Sequence, residues 1–213
     1  MAAVRSLKDD AQAIFSNGAR LTYDEKQDAK MTQTRITRCA WVDVNDDDYV
    51  AYHDHEWGQP VHDDRLLFEM LVLEMFVAGL SWQCVLHKRA AFKKAFDNFD
   101  VAKVAAYGDD KIATLAQNPD IIRHVSKIKA AILNAQIVLK LQKEYTSLDC
   151  YLWHFTHGKT VLSDGFETRS ALSDCISQDL KKRGAKFTGS VMVFSYLAAI
   201  GIISAHQEQC DWR

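Results

Sequence analysis

Apolar residues recur mainly at three- and four-residue intervals along this chain, a spacing typical of amphipathic helices. In the clearest helix, from Lys127 to Tyr145, the apolar face is formed by Ile128, Ile132, Ala135 and Leu139. We predict further helices at Asp63 to Phe76, Ser81 to Phe96, Ser170 to Lys182 and Thr188 to Ile203, with Asp63 and Ser81 as caps. No stretch shows a convincing strand alternation, so the sequence predicts an all-α fold.

The first 37 residues are more polar than the rest, apart from a short apolar patch at Ile14 and Phe15. We predict that residues 1–37 form a polar N-terminal extension, whose composition allows partial disorder, and that residues 38–213 form one helical domain. No low-complexity linker or internal repeat divides that domain.

Composition excludes some classes of protein but does not select one. Hydrophobic residues make up 48% and charged residues 25%, as in an ordinary globular protein. The net charge of -2 gives no global attraction to nucleic acid, so a DNA surface would need local basic clusters. Five cysteines without disulfide spacing, and no apolar run long enough for a membrane span, lead us to expect a cytoplasmic protein with no membrane partner.

The segment YVAYHDHEWGQP, from Tyr49 to Pro60, is dense in aromatic and metal-binding side chains. The nearby alternation of Asp43, Asn45 and Asp47 resembles a calcium loop. An EF-hand, however, needs glycine at its sixth position, which is Asp48 here. The zinc-protease and deaminase spacings are also absent from the sequence, so the segment fits none of these classes.

A different metal set combines the two ends of the domain: Cys39 and His53 with His206 and Cys210. Two cysteines and two histidines suit a closed, structural zinc site, and a helix would place His206 and Cys210 on one face. On spacing alone, two partly buried cysteines and two surface histidines remain the favoured interpretation.

Glu74 lies within the apolar run LVLEMF. Burying an unpaired carboxylate is unfavourable, so this position requires either a partner or a function. A functional role is modestly favoured from the residues alone.

Seven segments, in order from Arg38 to Cys210, resemble the 3-methyladenine DNA glycosylase I family: RCAWV, AYHDHEWG, LFEMLVLE, AGLSWQCVLHKRAAFKKAF, IIRHVSKI, LKKRGAKF and the closing H-x-x-x-C. The resemblance implies a monomeric helix-hairpin-helix DNA glycosylase. Such an enzyme flips 3-methyladenine out of alkylated double-stranded DNA and hydrolyses its N-glycosidic bond. It also implies structural Zn²⁺ held by Cys39, His53, His206 and Cys210, a zinc clip joining the two ends of the domain. With the resemblance, zinc becomes the favoured interpretation.

The same resemblance implies roles in a base pocket. Tyr52 and Trp82 would contact the extruded base, Trp41 and Tyr49 would line the cavity, and Glu74 would be the catalytic residue that hydrogen-bonds the base edge. The lesion is cationic, and an aromatic face attracts a cation by ~0.5 to 2 kcal/mol. No lysine is evident beside Glu74, so we expect hydrolysis without strand-cutting lyase activity.

In NPDIIRHVSKI, a proline break precedes a basic helix start, which suits phosphate binding. Our candidates for DNA contact there are Arg123, His124 and Lys127. The clusters KKRGAK and HKR are weaker candidates, because such charge runs are usually solvated faces.

The chain departs from the family pattern at several positions. Where the family reads roughly EGxQAGLSW, this chain has EMFVAGLSW; Asp120 replaces a common glycine, and Val125 and Ser126 replace a more basic pair. The alternative is therefore a diverged member that binds DNA or a nucleobase with weak or no glycosylase activity. A zinc-dependent hydrolase is a third hypothesis, and the closed ligand set argues against it.

Overall fold

The computed structural model describes residues 36–213, and over this range the backbone is mainly helical. Of the extension predicted for residues 1–37, residues 1–35 lie outside the described residues. The helices are α1 Asp47–His55, α2 Asp64–Val77, α3 Trp82–Leu86, α4 Arg89–Ala95, α5 Val101–Ala105, α6 Asp109–Gln117, α7 Val125–Tyr145, α8 Leu148–Trp153, α9 Ala171–Lys182 and α10 Ser190–Ala199. Short 3₁₀ turns follow α4 and α8, at Asp97–Phe99 and His154–Thr156. None of these helices is both long and apolar enough to cross a membrane.

Three of the predicted helices are confirmed with small changes at their ends, namely α2, α7 and α9. The predicted caps are confirmed as well: Asp63 accepts a hydrogen bond from the Leu66 amide at 2.8 Å, and Ser81 accepts one from the Cys84 amide at 3.2 Å. These ends could be predicted because capping is a local interaction between residues close in sequence.

Two predicted helices are wrong in extent. The helix expected from Ser81 to Phe96 is broken at His87 and Lys88 into α3 and α4. The helix expected from Thr188 to Ile203 ends at Ala199, because Gly201 adopts a φ of +75° where a Cβ would lie 2.4 Å from the carbonyl carbon of Gln59. The chain then enters a short strand.

That strand, β2 (Ile203–Ser204), pairs in parallel with β1 (Val161–Leu162), and Val161 lies opposite Ile203. The pair is too short to show an alternating pattern in the sequence. It joins the loop that follows β1 to the C-terminal segment, and both contribute to the site described below.

Helix α2 lies at the centre of the core and is buried continuously from Leu67 to Phe76. Two carboxylates lie inside this stretch. Glu69 is paired with arginine and lysine side chains, including the Nε of Arg89 at 2.6 Å. Glu74 has no such ion pair among the described residues, so it is the carboxylate whose burial calls for a functional explanation.

Candidate base pocket and metal centre

A cavity of about 270 Å³ opens where α1, α2 and α10 meet the loop after β1. The base-contact residues predicted from the sequence all line it, and the structure brings together Trp41, Tyr49, Tyr52, Glu74 and Trp82. The wall is completed by Trp57, Val77, Gly165, Glu167, Thr168, Val191, Phe194, Ser195, Ala198 and Ala205. The cavity is therefore mainly aromatic and aliphatic, with few polar groups, as is common for sites that bind flat organic ligands.

Tyr52 and Trp82 form an aromatic pair in this cavity, with ring centroids 4.9 Å apart. The Tyr52 hydroxyl and the Trp82 Nε1 are both buried, and neither has a hydrogen-bond partner among the described residues. Buried polar groups in folded proteins are nearly always paired. These two groups beside one cavity are able to donate hydrogen bonds to a ligand that carries acceptors.

Glu74 is 7% exposed and lines the same cavity. Burial raises the pKa of its carboxyl group to about 8, from an ordinary value of 4.5. In the empty cavity the carboxyl group is thus mainly protonated at neutral pH. A cationic ligand would favour the carboxylate form, since the opposite charge offsets the loss of solvation.

Two tryptophans link the cavity to the predicted metal site. Trp41 and Trp57 both line the cavity, with their rings 4.9 Å apart. Trp41 also packs on His53 at 5.3 Å, and Trp57 packs on His206 at 4.6 Å. The wall of the cavity and the histidine pair are therefore one packed unit.

The predicted ligand set comes together as a buried cluster of Cys39, His53, His206 and Cys210, with ligand atoms all within 4.8 Å of one another. The Cys210 Sγ lies 3.5 Å from the His53 Nε2 and 3.4 Å from the His206 Nδ1, and the Cys39 Sγ lies 3.6 Å from the His206 Nδ1. In a tetrahedral site with ordinary zinc bond lengths, sulfur and nitrogen ligands would be about 3.6 Å apart. The four residues fit a zinc ion in size and in ligand type.

The surroundings of the cluster suit a metal site as well. The His53 Nδ1 hydrogen-bonds the Asp54 carboxylate at 2.8 Å, and Arg38 in turn binds Asp54 at 2.6 Å, an arrangement that fixes the ring so that Nε2 faces the cluster. Burial raises the pKa of the Cys39 thiol to about 11, so its thiolate form requires a nearby cation.

One detail of the sequence prediction for this cluster is wrong. His206 and Cys210 do not lie on a helix but in a turn after β2, closed by a 2.9 Å hydrogen bond from the Cys210 amide to the Gln207 carbonyl. The turn brings the two side chains together as a helix would. The spacing of four residues was therefore informative although the predicted local structure was incorrect.

The segment predicted to contact DNA connects α6 to α7. Arg123 and His124 are exposed there, and the His124 side chain caps α7 by accepting a hydrogen bond from the Lys127 amide at 3.3 Å. Lys127 needs a correction. It is 4% exposed, and its ammonium group donates to the carbonyls of Phe76 and Ala78, so it stabilises the end of α2 and is not free to contact DNA.

The two departures from the family pattern beside Glu74 differ in their consequences. Met75 is fully buried in the core and does not line the cavity, whereas Val77 does. Of the two positions, only Val77 can therefore affect the cavity directly.

Several cavity residues were not predicted from the sequence. Val191, Phe194 and Ser195 lie on α10, where three- and four-residue spacing looks the same for a core face and a cavity wall. Glu167 and Thr168 lie in an irregular loop with no motif. Their positions depend on tertiary packing, which the sequence pattern does not show.

Comparison with known proteins gives a consistent result. Residues 41–213 match the family model described as methyladenine glycosylase. The chain is 40% identical to DNA-3-methyladenine glycosylase 1 of Escherichia coli over 82% of this chain and 96% of that protein. It is 35% identical to DNA-3-methyladenine glycosylase of Haemophilus influenzae, covering 83% of this chain and 98% of that one. A crystal structure of a tyrosine-to-phenylalanine variant of 3-methyladenine DNA glycosylase I in complex with 3-methyladenine matches with a TM-score of 0.78 and 37% identity, covering 82% and 96% of the two chains.

Proposed function

Because the chain belongs to the methyladenine glycosylase family, we propose that it is a DNA repair enzyme that flips 3-methyladenine out of alkylated double-stranded DNA and hydrolyses its N-glycosidic bond. The observation that carries this proposal for the chain's own residues is the cavity lined by buried Glu74 together with Tyr52 and Trp82, whose polar groups have no partner among the described residues. Aromatic rings, a buried carboxyl group and two donors without a partner among the described residues are groups that a flat, cationic, nitrogen-rich base can use.

The chemistry of the lesion explains how binding assists bond cleavage. An adenine methylated at N3 is cationic in the nucleotide, and it leaves as a neutral base. The bond to the sugar is therefore already weakened. A carboxylate at Glu74 would accept a hydrogen bond from the exocyclic amine, and the rings of Tyr52 and Trp82 would stack on the base. Unmodified adenine carries no such charge and would gain less from both contacts.

Zinc is a separate part of the proposal. We propose that Cys39, His53, His206 and Cys210 hold one structural Zn²⁺, a closed site that clips the two ends of the domain together. Bound zinc would stabilise the two thiolates and so compensate for their burial. Trp41 and Trp57, which pack on the histidines, would then hold the cavity wall in place.

For the DNA side, we propose that α6, the connecting turn and α7 form the helix-hairpin-helix unit of a monomeric enzyme. The exposed Arg123 and His124 at the start of α7 would contact a phosphate. No lysine lines the cavity among the described residues, and Lys127 is hydrogen-bonded to backbone carbonyls. This supports hydrolysis without lyase activity, because a Schiff base needs a free amine.

The experiment that tests the proposal is the release of free methylated purines from alkylated duplex DNA by the purified protein, beside a Glu74→Gln variant. We expect 3-methyladenine to be released by the wild type and at least tenfold more slowly by the variant, a loss of about 1.4 kcal/mol or more of transition-state stabilisation. If the folded, zinc-loaded protein binds alkylated DNA but releases no base, the protein is instead the diverged binding protein. The loss of a polar side chain at Val77 is the feature that favours that second possibility.

A further inference from the structure

The ionisable carboxyl and amine-type side chains that line the cavity, among the described residues, are all acidic. Glu74 lies inside it and Glu167 at its exposed edge, and among the described lining residues there is no lysine, arginine or histidine. An enzyme that acts on DNA would be expected to place basic groups near its substrate. A cavity lined by two acidic side chains, with no basic side chain among the described lining residues, therefore calls for an explanation.

The side chain of Glu167 is held in place by a hydrogen bond. The Ser163 hydroxyl, which is 7% exposed, donates to the Glu167 Oε2 at 2.8 Å. The Glu167 amide donates to the Asp164 Oδ1 at 3.1 Å, so backbone and side chain are both fixed within the loop. A carboxylate that is held in this way has a defined position relative to the cavity.

The loop itself, residues 163–169, is anchored at both ends. At its start, the Ser163 amide donates to the Ser204 carbonyl of β2 at 3.0 Å. At its centre, Gly165 has a φ of +82°, and a Cβ there would lie 2.8 Å from the Cα of Gln207, so the loop packs directly on the turn that carries His206. At its end, Ser170 caps α9. The fold thus fixes where Glu167 lies.

We propose that Glu167 is a specificity-determining residue: a carboxylate at the mouth of the base cavity that favours cationic, N-alkylated purines over neutral purines. This inference rests on the proposed glycosylase function and adds a residue to it. Glu74 makes contact with the base once it is inside the cavity. Glu167 acts earlier, while the base enters the cavity, because its carboxylate attracts a base that carries a positive charge.

The physical basis is the balance between two Coulomb interactions. A cationic base approaching the cavity is attracted by the Glu167 carboxylate, whereas the phosphates of every DNA duplex are repelled by it. Undamaged DNA therefore experiences only the repulsion. The alkylated nucleotide experiences both the repulsion of its phosphates and the attraction of its cationic base. The added attraction is what distinguishes alkylated from undamaged DNA. Because Glu167 is exposed, salt weakens the effect.

The test compares Glu167→Gln with two control variants of the full-length protein. Glu208→Gln removes an exposed carboxylate from the neighbouring turn, outside the cavity. Ser163→Ala keeps the Glu167 charge but removes its anchoring hydrogen bond. For each variant we would measure kcat/KM for 3-methyladenine release from alkylated duplex DNA, and the Kd for the same duplex without lesions, at low and at high salt.

We expect Glu167→Gln to lower the ratio of kcat/KM on alkylated DNA to the affinity for undamaged DNA by about 2- to 5-fold at low salt and by less at high salt. Ser163→Ala should fall between this variant and the wild type, and Glu208→Gln should keep the wild-type ratio. An unchanged ratio in Glu167→Gln, or an equal change in Glu208→Gln, would overturn the inference. If the wild type itself releases no base, the proposed function has failed instead, which distinguishes the two outcomes.

Discussion

The ammonium group of Lys127 lies at the C-terminal end of α2, 2.9 Å from the carbonyl oxygen of Phe76 and 2.6 Å from that of Ala78. The residue between them, Val77, lines the base cavity. The first turn of α7 is thus joined through one buried side chain to the edge of the cavity. Arg123 and His124, the proposed DNA contacts, lie just before that turn, so Lys127 connects the segment that carries them to the edge of the cavity.

Lys127→Met should therefore destabilise the protein without removing a phosphate contact. The carbonyls of Phe76, which is buried, and of Ala78, which is exposed, would both lose the ammonium donor, and we expect the free energy of unfolding to fall by about 2 kcal/mol in urea titrations. Lys129→Met, an exposed position on the same helix, should change it by less than about 0.5 kcal/mol. For DNA binding, the slope of log K against log salt should stay unchanged in Lys127→Met. If the slope instead decreased in magnitude by about one while stability stayed unchanged, Lys127 would contact a phosphate, as predicted from the sequence.

Glu74 should make stability depend on pH. Its pKa is raised in the folded protein from 4.5 to about 8, so the folded state binds more protons than the unfolded state over that range. The stability of the wild type is then complete below pH 4.5 and decreases as the pH rises through 8. Relative to Glu74→Gln, we expect a loss of roughly 3 to 5 kcal/mol at pH 9, since one pKa unit corresponds to about 1.4 kcal/mol.

The measurement is chemical unfolding of both proteins from pH 4 to 9, with the difference between them plotted against pH. Glu208→Gln is the control, because it makes the same substitution at an exposed position outside the cavity. A difference between the wild type and Glu74→Gln that does not vary with pH would contradict the buried, unpaired state of Glu74.

Lys127 also shows what the sequence could predict and what it could not. Its basic character and its place at a helix start were visible, and both are correct; its burial depends on the end of α2, about fifty residues earlier in the chain. The break after Ala199 likewise depends on the approach of Gln59 to Gly201. Local features such as the cap at Asp63 were predicted correctly. Features that depend on contacts between distant segments, such as the placement of Glu167, were not.

The unpaired hydroxyl of Tyr52 leads to effects of opposite sign on stability and on binding. Tyr52→Phe removes a buried hydroxyl that has no partner among the described residues, so the protein without ligand should become more stable by about 1 kcal/mol. Binding of free 3-methyladenine should weaken by about 2- to 10-fold, because the hydroxyl would no longer be available to the ligand.

The matched control is Tyr196→Phe. Its hydroxyl is also buried, but it donates to the Leu67 carbonyl at 2.9 Å and does not line the cavity. That variant should lose about 1 kcal/mol of stability with unchanged affinity for the base. Thermal unfolding would give the stability of each of the two variants, and calorimetric titration would give the affinity of each for 3-methyladenine. If both variants lost stability, the Tyr52 hydroxyl would have a partner in solution.

The buried cysteine and histidine cluster should contain one zinc ion per chain. Loss of this zinc should mainly lower the stability of the fold, because the site is structural and takes no direct part in bond cleavage. Cys39→Ser replaces one of two buried thiolates, so we expect metal content to fall well below one per chain and the midpoint of thermal unfolding to fall by roughly 10 °C. Cys175→Ser changes an exposed cysteine outside the cluster and should leave both values unchanged. Because Trp41 and Trp57 pack on the histidine ligands and line the cavity, loss of metal should also change tryptophan fluorescence and weaken base binding. A Cys39→Ser protein that keeps full metal content and stability would show that the cluster does not form the proposed zinc site.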